Sequence, residues 1–376
     1  MNTPELRARC ATQLQAAADR VTRMNAFIGL DGFVDEILHV VDKRESAGKY
    51  RRLSKMAQWG ERICAAAGKS TNIELVNQRT KLGGNGPIMA NAMASFGFNV
   101  SYLGNLGYPN LHPVFAEFAR RAEVHSIAEP GYTDAVEFED GKVMLGKHQS
   151  LQEVNWTNVQ ARFGQREFAA KVFGADFLGF VNWTMLTYMN EIWAATLDGI
   201  CPKLSGPRRT MFFDLADPEK RTPADIAQAL ALIAAFEKYF DVILGLNESE
   251  SSQIGRALGL NPSDHSPDGL AKLGQEILQR VPVGTLVIHP THYAMAISQD
   301  GPVIVEGAFT PRPLITTGAG DHFNAGFCLG KLLGLDNATS VLTGVTTSGF
   351  YVRTATSPTV ENLVTTMRNW PAKRDA

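Results

Sequence analysis

The chain has 376 residues, 44% hydrophobic and 20% charged, a globular composition that excludes a largely disordered protein. Lys+Arg 36 against Asp+Glu 38 leaves a formal net charge of -2, which argues against a nucleic-acid partner held by a broad basic surface. Cys10, Cys64, Cys201 and Cys328 lack CxxC spacing, and neither an 18-residue apolar run nor a leader-like N-terminus occurs, so no zinc ribbon, disulfide framework or membrane partner is expected, and a cytoplasmic location is. Thr3 and Pro4 read as a cap and first turn, and Leu6, Cys10, Leu14, Ala17 and Val21 predict a helix over 4–23. Residues 25–30 (NAFIGL) predict a short apolar strand. Residues 33–82 are mixed and polar, with a basic run at Lys43, Arg44, Lys49, Arg51, Arg52 and Lys55. Such a stretch does not suit a central sheet and reads as an insertion over one end of the core.

Beyond Gly83-Gly84 the pattern predicts a helix at 87–96, a strand at 99–103, a helix at 113–122 and a strand at 124–127. A hairpin follows, turning at Asp140-Gly141. Strands at 176–181, 210–215, 241–244 and 283–288 then alternate with helices at 186–198, 223–237, 247–257 and 268–279. A second hairpin turns at Asp300-Gly301, and helices are predicted over 321–333, 336–350 and 359–368. This alternation implies βαβ units around a mostly parallel sheet with helices on both faces, whose ligands bind at the carboxyl ends of the strands.

Two phosphate motifs fail. Gly68-Lys69-Ser70 looks like the end of a Walker A loop, but Ile63 stands where its first glycine belongs. Gly84-Asn85-Gly86 lacks the third glycine of a dinucleotide fingerprint. The segment Thr316-Thr317-Gly318-Ala319-Gly320-Asp321 is more informative. A Gly-Ala-Gly turn leading into a helix can aim three successive backbone N–H groups at one anion, and the helix dipole adds positive potential. A carboxylate beside such an anion hole repels phosphate unless it acts on the attacking group, which makes Asp321 a candidate general base. The plainer reading of Asp321 is a helix cap.

TTGAGDHFNAGF resembles the C-terminal signature of the ribokinase-like (PfkB) carbohydrate kinases, and LGGNGPIMANAMASFGFNVSYLGNLG resembles their N-terminal glycine-pair signature. GLDGFVDEI, YTDAVEFEDGKVML, LNESE and TSGFYVRTATSPTVENL are similar to further landmarks of the family, in its order, so the resemblance spans roughly residues 25–368. It implies one kinase domain over 1–376: a three-layer α/β/α sandwich with a mostly parallel central sheet, and a small β lid from insertions at about 36–82 and 131–150. It implies transfer of the γ-phosphoryl of ATP to a sugar hydroxyl, with Mg²⁺ and room for a monovalent cation (K⁺). Asp321 would be the base, and the Gly318, Ala319 and Gly320 amides would hold the transferring charge. Asn247 and Glu250 would organise Mg²⁺ through water, and Asn247, Thr317 and Asn324 would face the nucleotide. Asp31, Asp35, Gly83, Gly84 and Asn85 would contact the sugar, with Asn182 a further pocket candidate. A homodimer through lid strands is implied as well.

Three departures stand out. Ile315 replaces the family's usual Asp, Gly107-Tyr108-Pro109-Asn110 replaces a Gly-Asp-Asp, and His289-Pro290-Thr291-His292-Tyr293-Ala294 lacks two glycines expected near the nucleotide. His289 and His292 have no evident third metal ligand. A nucleoside kinase, a non-catalytic carbohydrate-binding protein and a different phosphoryl donor all stay open on the sequence. The basic run, with Arg79 and Lys81, reads as a solvated lid surface in preference to an anion clamp.

Overall fold

The computed structural model describes residues 2–371. In chain order its strands are β1 (Asn25–Leu30), β2 (Phe33–Ser46), β3 (Lys49–Arg52), β4 (Leu75–Gly83), β5 (Asn99–Gly104), β6 (Glu123–Ser126) and β7 (Gly131–Phe138). They continue as β8 (Gly141–Lys147), β9 (Phe177–Phe180), β10 (Arg209–Asp214), β11 (Phe240–Leu246), β12 (Thr285–Ile288), β13 (Tyr293–Ser298) and β14 (Gly301–Glu306). A nine-stranded sheet has the order β14-β13-β12-β11-β10-β9-β1-β5-β6. It is parallel from β6 to β12 and ends in the antiparallel pairs β12–β13 and β13–β14.

The central strands β1, β9, β10, β11 and β12 are buried on both faces because they are apolar at nearly every position. Phe27, Met211, Phe213, Val242 and Leu244 pack into one face with the helices Gln165–Gly174, Met189–Gly199, Pro223–Phe236 and Pro267–Arg280. Ala26, Ile28, Phe212, Ile243 and Val287 pack into the other with Pro4–Val21, Asn85–Phe96, Ala319–Leu332 and Asn337–Thr354. This is the three-layer α/β/α sandwich the alternation predicts.

A second sheet of five strands is built from the two segments the sequence sets apart. Strand β2 is its centre, antiparallel to β3 and β4 and parallel to β7, with β8 antiparallel to β7 at one edge. The helix Met56–Ala65 beside it buries no residue. Most of the basic run lies on this surface in ion pairs, including Arg51 with Asp42 at 2.6 Å and Lys49 with Glu45 at 2.9 Å. Exposed pairs of this kind are worth about 0–1 kcal/mol each.

One local expectation fails, and one helix was not foreseen. Residues 113–122 form two 3₁₀ turns, Pro113–Phe115 and Phe118–Arg120, in place of one helix. Phe115 and Phe118 are both buried, and a three-residue turn puts positions i and i+3 on one side. The helix Gln165–Gly174 has no counterpart in the sequence reading. It buries only Phe168 and Val172, a stripe too narrow to stand out.

Candidate active site

The main sheet delivers polar residues where its parallel strands stop. Strand β1 runs into Asp31, β9 into Asn182, β10 ends on Asp214, β11 runs into Asn247 and β12 into His289. Strand β1 lies between β5 and β9, where the chain switches direction across the sheet, so these residues share the crevice expected at the carboxyl ends.

Asp31 is fully buried. Its Oδ2 accepts from the Asn85 amide at 3.0 Å and from Asn182 Nδ2 at 2.7 Å, and its Oδ1 accepts from the Gly86 amide at 2.8 Å. Burial pushes its carboxyl up to about 6 against these hydrogen bonds. Gly84, at φ +98, caps the helix Asn85–Phe96, and a Cβ there would lie 2.8 Å from Asp31 Oδ2. Asp31 thus holds the glycine-pair turn from beneath. Asp35 stands on β2 with Lys81 Nζ 3.9 Å from its Oδ2. Burial raises its carboxyl, opposed by Lys81, Thr133 and Lys142. A Cβ on Gly83 would meet the Asp35 carboxyl at 2.5 Å, so Gly83 makes room for that side chain. Asn182 has φ 60, a left-handed conformation rare outside glycine, and its Oδ1 is buried without a partner.

The helix Ala319–Leu332 opens on Gly318 (φ 92), which is its N-cap, and no side chain caps it. The cap reading of Asp321 is therefore incorrect. Asp321 lies in the first turn, and its Oδ1 accepts from Asn85 Nδ2 at 2.9 Å. Burial pushes this carboxyl up to about 8; the Asn85 hydrogen bond opposes the rise, and Asp31 and Glu250 add to it. The Ala319 amide donates to Thr316 O at 3.1 Å and is already engaged. Gly320 and Asp321 sit at a helix start, where N–H groups have no acceptor within the helix. The Thr317 carbonyl accepts from Tyr351 at 3.0 Å, and its hydroxyl accepts from Lys142 Nζ.

Asn247 and Glu250 form a reciprocal cap. Asn247 Oδ1 accepts from the Glu250 amide at 2.9 Å, and Glu250 Oε2 accepts from the Asn247 amide at 2.8 Å. Glu250 Oε1 accepts from the Asp217 amide at 3.0 Å, so the acid is buried and not on an exposed helix face. Asp214 is pushed well above the usual carboxylate range by burial and by the charges of Glu250 and Asp321. Asn324 is buried and donates to Asp214 Oδ2 at 3.0 Å. Among the described residues no three-acid group sits close enough to grip a metal directly. Crowded hard-oxygen carboxylates with their first lone pairs taken by amides fit a hydrated Mg²⁺ held through water. His289 and His292 do not act as a metal pair: their rings pack on Phe323 and Phe309, at 4.9 and 4.2 Å.

Two cavities flank the Gly318–Asp321 turn. One, of about 460 Å³, is lined by Asp35, Gly84, Asn85, Asn182, Thr317, Gly318, Asp321 and the apolar Phe33, Ile88, Met144 and Met185. The other, of about 520 Å³, is walled by Pro290, Thr291, Tyr293, Phe309, Ala319, Phe323 and Val352. Asn247, His289 and Gly320 line both. Asp31, Gly83 and Asn324 line neither. The sequence reading misses Asp214, the wall formed by His289, and Lys142. For Asp214 the signal is an apolar run ending in a polar residue, as in Met211-Phe212-Phe213-Asp214, the same pattern that precedes Asn247.

Solved structures place the fold. Ribokinase from Arabidopsis thaliana, solved with ribose and ATP, aligns with a TM-score of 0.64 at 13% identity, covering 92% of this chain and 98% of that one. A phosphofructokinase-2 variant from Escherichia coli aligns with a TM-score of 0.62 at 14% identity, covering 92% and 98%. These establish a ribokinase-like architecture. The family model for prokaryotic ketohexokinase matches residues 2–370, and a ketohexokinase from Haloferax volcanii is 29% identical over 367 residues, 96% of each chain. The chain belongs to the prokaryotic ketohexokinase family and is an ATP-dependent carbohydrate kinase.

Proposed function

We propose that this kinase transfers the γ-phosphoryl of ATP to a hydroxyl of a ketohexose, with Asp321 as general base. The observation that carries this reading is the meeting of the two cavities at one helix start that holds a buried carboxylate and has no side-chain cap. Sugar fills the cavity bearing Asp35, Asn85 and Asn182, whose donors and acceptors pair its hydroxyls. Each buried group left unpaired costs about 1–3 kcal/mol, so this set selects a hydroxyl-rich ligand. The nucleotide fills the more apolar cavity beyond Gly320, with Thr317 and Asn247 beside its phosphates.

Asp321, oriented by Asn85, takes the hydroxyl proton as the sugar oxygen bonds to the γ-phosphorus and the bond to the bridging oxygen of ADP breaks. The amides of Gly318, Gly320 and Asp321 hold the charge on the transferring group, and loss of one such donor typically costs roughly 3–4 kcal/mol of barrier. Asn247, Glu250 and Asp214 would hold Mg²⁺ through water, and the ion, when bound, neutralises phosphate charge. Asp31 and Gly83 support the glycine-pair turn, and Asn324 supports Asp214. The small sheet acts as a lid over the sugar, and its outer strands pair two copies of the chain.

Ketohexose as acceptor rests on family membership and on the Haloferax volcanii relative. A coupled assay with Mg-ATP across ketohexoses, aldoses and nucleosides tests it. A ketohexose should show the highest kcat/KM by at least about tenfold. Preference for a nucleoside, or sugar binding by calorimetry without turnover, would overturn it.

A further inference from the structure

The Gly318–Asp321 turn is gripped from the side away from both substrate cavities by a chain of hydrogen bonds. Asn91, on the helix Asn85–Phe96, donates from Nδ2 to Ser357 Oγ at 3.3 Å, and Ser357 Oγ lies 2.9 Å from His322 Nε2. His322 Nδ1 lies 2.7 Å from the Gly318 carbonyl oxygen, which also accepts from the His322 amide at 3.0 Å. A carbonyl can only accept, so Nδ1 carries the ring proton and Nε2 accepts from the Ser357 hydroxyl. Burial pushes this imidazole down to about 4 and so keeps it neutral. Its ring stacks on Tyr351, with centroids 3.6 Å apart and planes at 12°. Tyr351 in turn donates to the Thr317 carbonyl at 3.0 Å. His322, Tyr351 and Ser357 line neither substrate cavity.

Two successive carbonyls of the turn are thus held from outside the site. A trans peptide sets its N–H opposite its C=O, so holding the Thr317 oxygen on the far side turns the Gly318 amide toward the sugar cavity that Gly318 lines. Gly318, at φ 92, has no side chain to fix its own conformation, and without these contacts the peptide before it can flip. We infer that His322 and Tyr351 are positioning residues for phosphoryl transfer, holding the turn so that the Gly318 amide stays aimed at the transferring group. This rests on the role given to that amide above. The same chain ties the turn to the helix whose first residue, Asn85, orients Asp321, so base and anion hole share one support.

The full-length chain with three His322 variants tests this. His322→Asn keeps a donor where Nδ1 lies, His322→Gln keeps a polar group only where Nε2 lies, and His322→Leu keeps neither. With Mg-ATP and a ketohexose, His322→Leu and His322→Gln should lower kcat by about tenfold or more, with both KM values within about twofold. His322→Asn should stay within about threefold of wild type, and Tyr351→Phe, which keeps the stack, should lose kcat in the same way as His322→Gln. Calorimetry with Mg-ADP and ketohexose, with and without aluminium fluoride in place of the transferring phosphoryl, gives a readout apart from turnover. His322→Gln should weaken the fluoride complex at least about fivefold and ADP alone less than about twofold. If His322→Leu does not fold, the comparison of His322→Asn with His322→Gln decides. Equal kcat in those two, or equal weakening of ADP with and without fluoride, overturns the positioning role while the kinase reading stands. A wild-type chain that forms no fluoride complex and turns over no ketohexose overturns both.

Discussion

Because burial pushes the Asp321 carboxyl up to about 8, at neutral pH much of it keeps the proton a general base must lack. Turnover should therefore climb as pH rises through about 8 and level off above it, read as kcat under saturating substrates. Stability runs the other way. The folded chain binds this proton more tightly than the unfolded chain does, whose carboxyl titrates near its ordinary 3.8, so between the two values stability falls as pH rises. Asp321→Asn lacks that titration, and thermal melts should find it more stable than wild type at pH 8.5, with the gap closing toward pH 5. A gap that does not change with pH would contradict the raised carboxyl. Residue types and motifs brought Asp321 and Asn85 to notice from the sequence, but the roles within the set were not legible. Asp31 and Asp35 are four apart in one chain segment, and only the backbone amides of Asn85 and Gly86 turning onto Asp31 separate the support from the pocket wall.

At the scale of elements, the strands and helices of the main layers were readable because burial on both faces demands apolar runs and helical stripes. The helix Ala319–Leu332 is fixed against Asn337–Thr354 by small residues: a Cβ on Gly330 would lie 2.7 Å from Ser340, and one on Gly344 would lie 2.7 Å from Phe323. That packing holds the Gly318–Asp321 turn and left a sequence trace in its glycines. In the small sheet the hairpin β7–β8 was legible from Asp140-Gly141, while β2, β3 and β4 were hidden, since β3 and β4 are largely exposed and lack a strong alternation. Water in the site would compete with the sugar as acceptor, so the sheet should close on substrate. Limited proteolysis within residues 40–60 and 132–147 should slow when ketohexose and AMP-PNP are both bound. An unchanged cleavage rate would contradict a closing lid.

On the scale of the whole molecule, β1, β9, β10, β11 and β12 lie side by side in chain order, so the motifs at their ends line one crevice in sequence. That order made the ribokinase-like sandwich legible in the sequence. The segment 289–294 was harder to read, because a missing glycine shows only that the backbone differs. In the fold, His289 packs against Phe323, Pro290, Thr291 and Tyr293 form a cavity wall, and Ala294 lies buried in β13. The outer edge of β8 has no strand partner among the described residues, with Met144 and Leu145 exposed on it, an arrangement that invites pairing with a second copy. Light scattering at micromolar concentration should give twice the mass of one chain, and a monomer there would contradict that interface. The central claim is that chemistry happens at the carboxylate where the two cavities meet. It is tested most directly by the turnover of Asp321→Asn with Mg-ATP and a ketohexose, beside sugar binding by calorimetry on the same sample. A fall in kcat of about 10²–10⁴ with sugar affinity nearly unchanged is the result predicted. Turnover within a fewfold of wild type would contradict it.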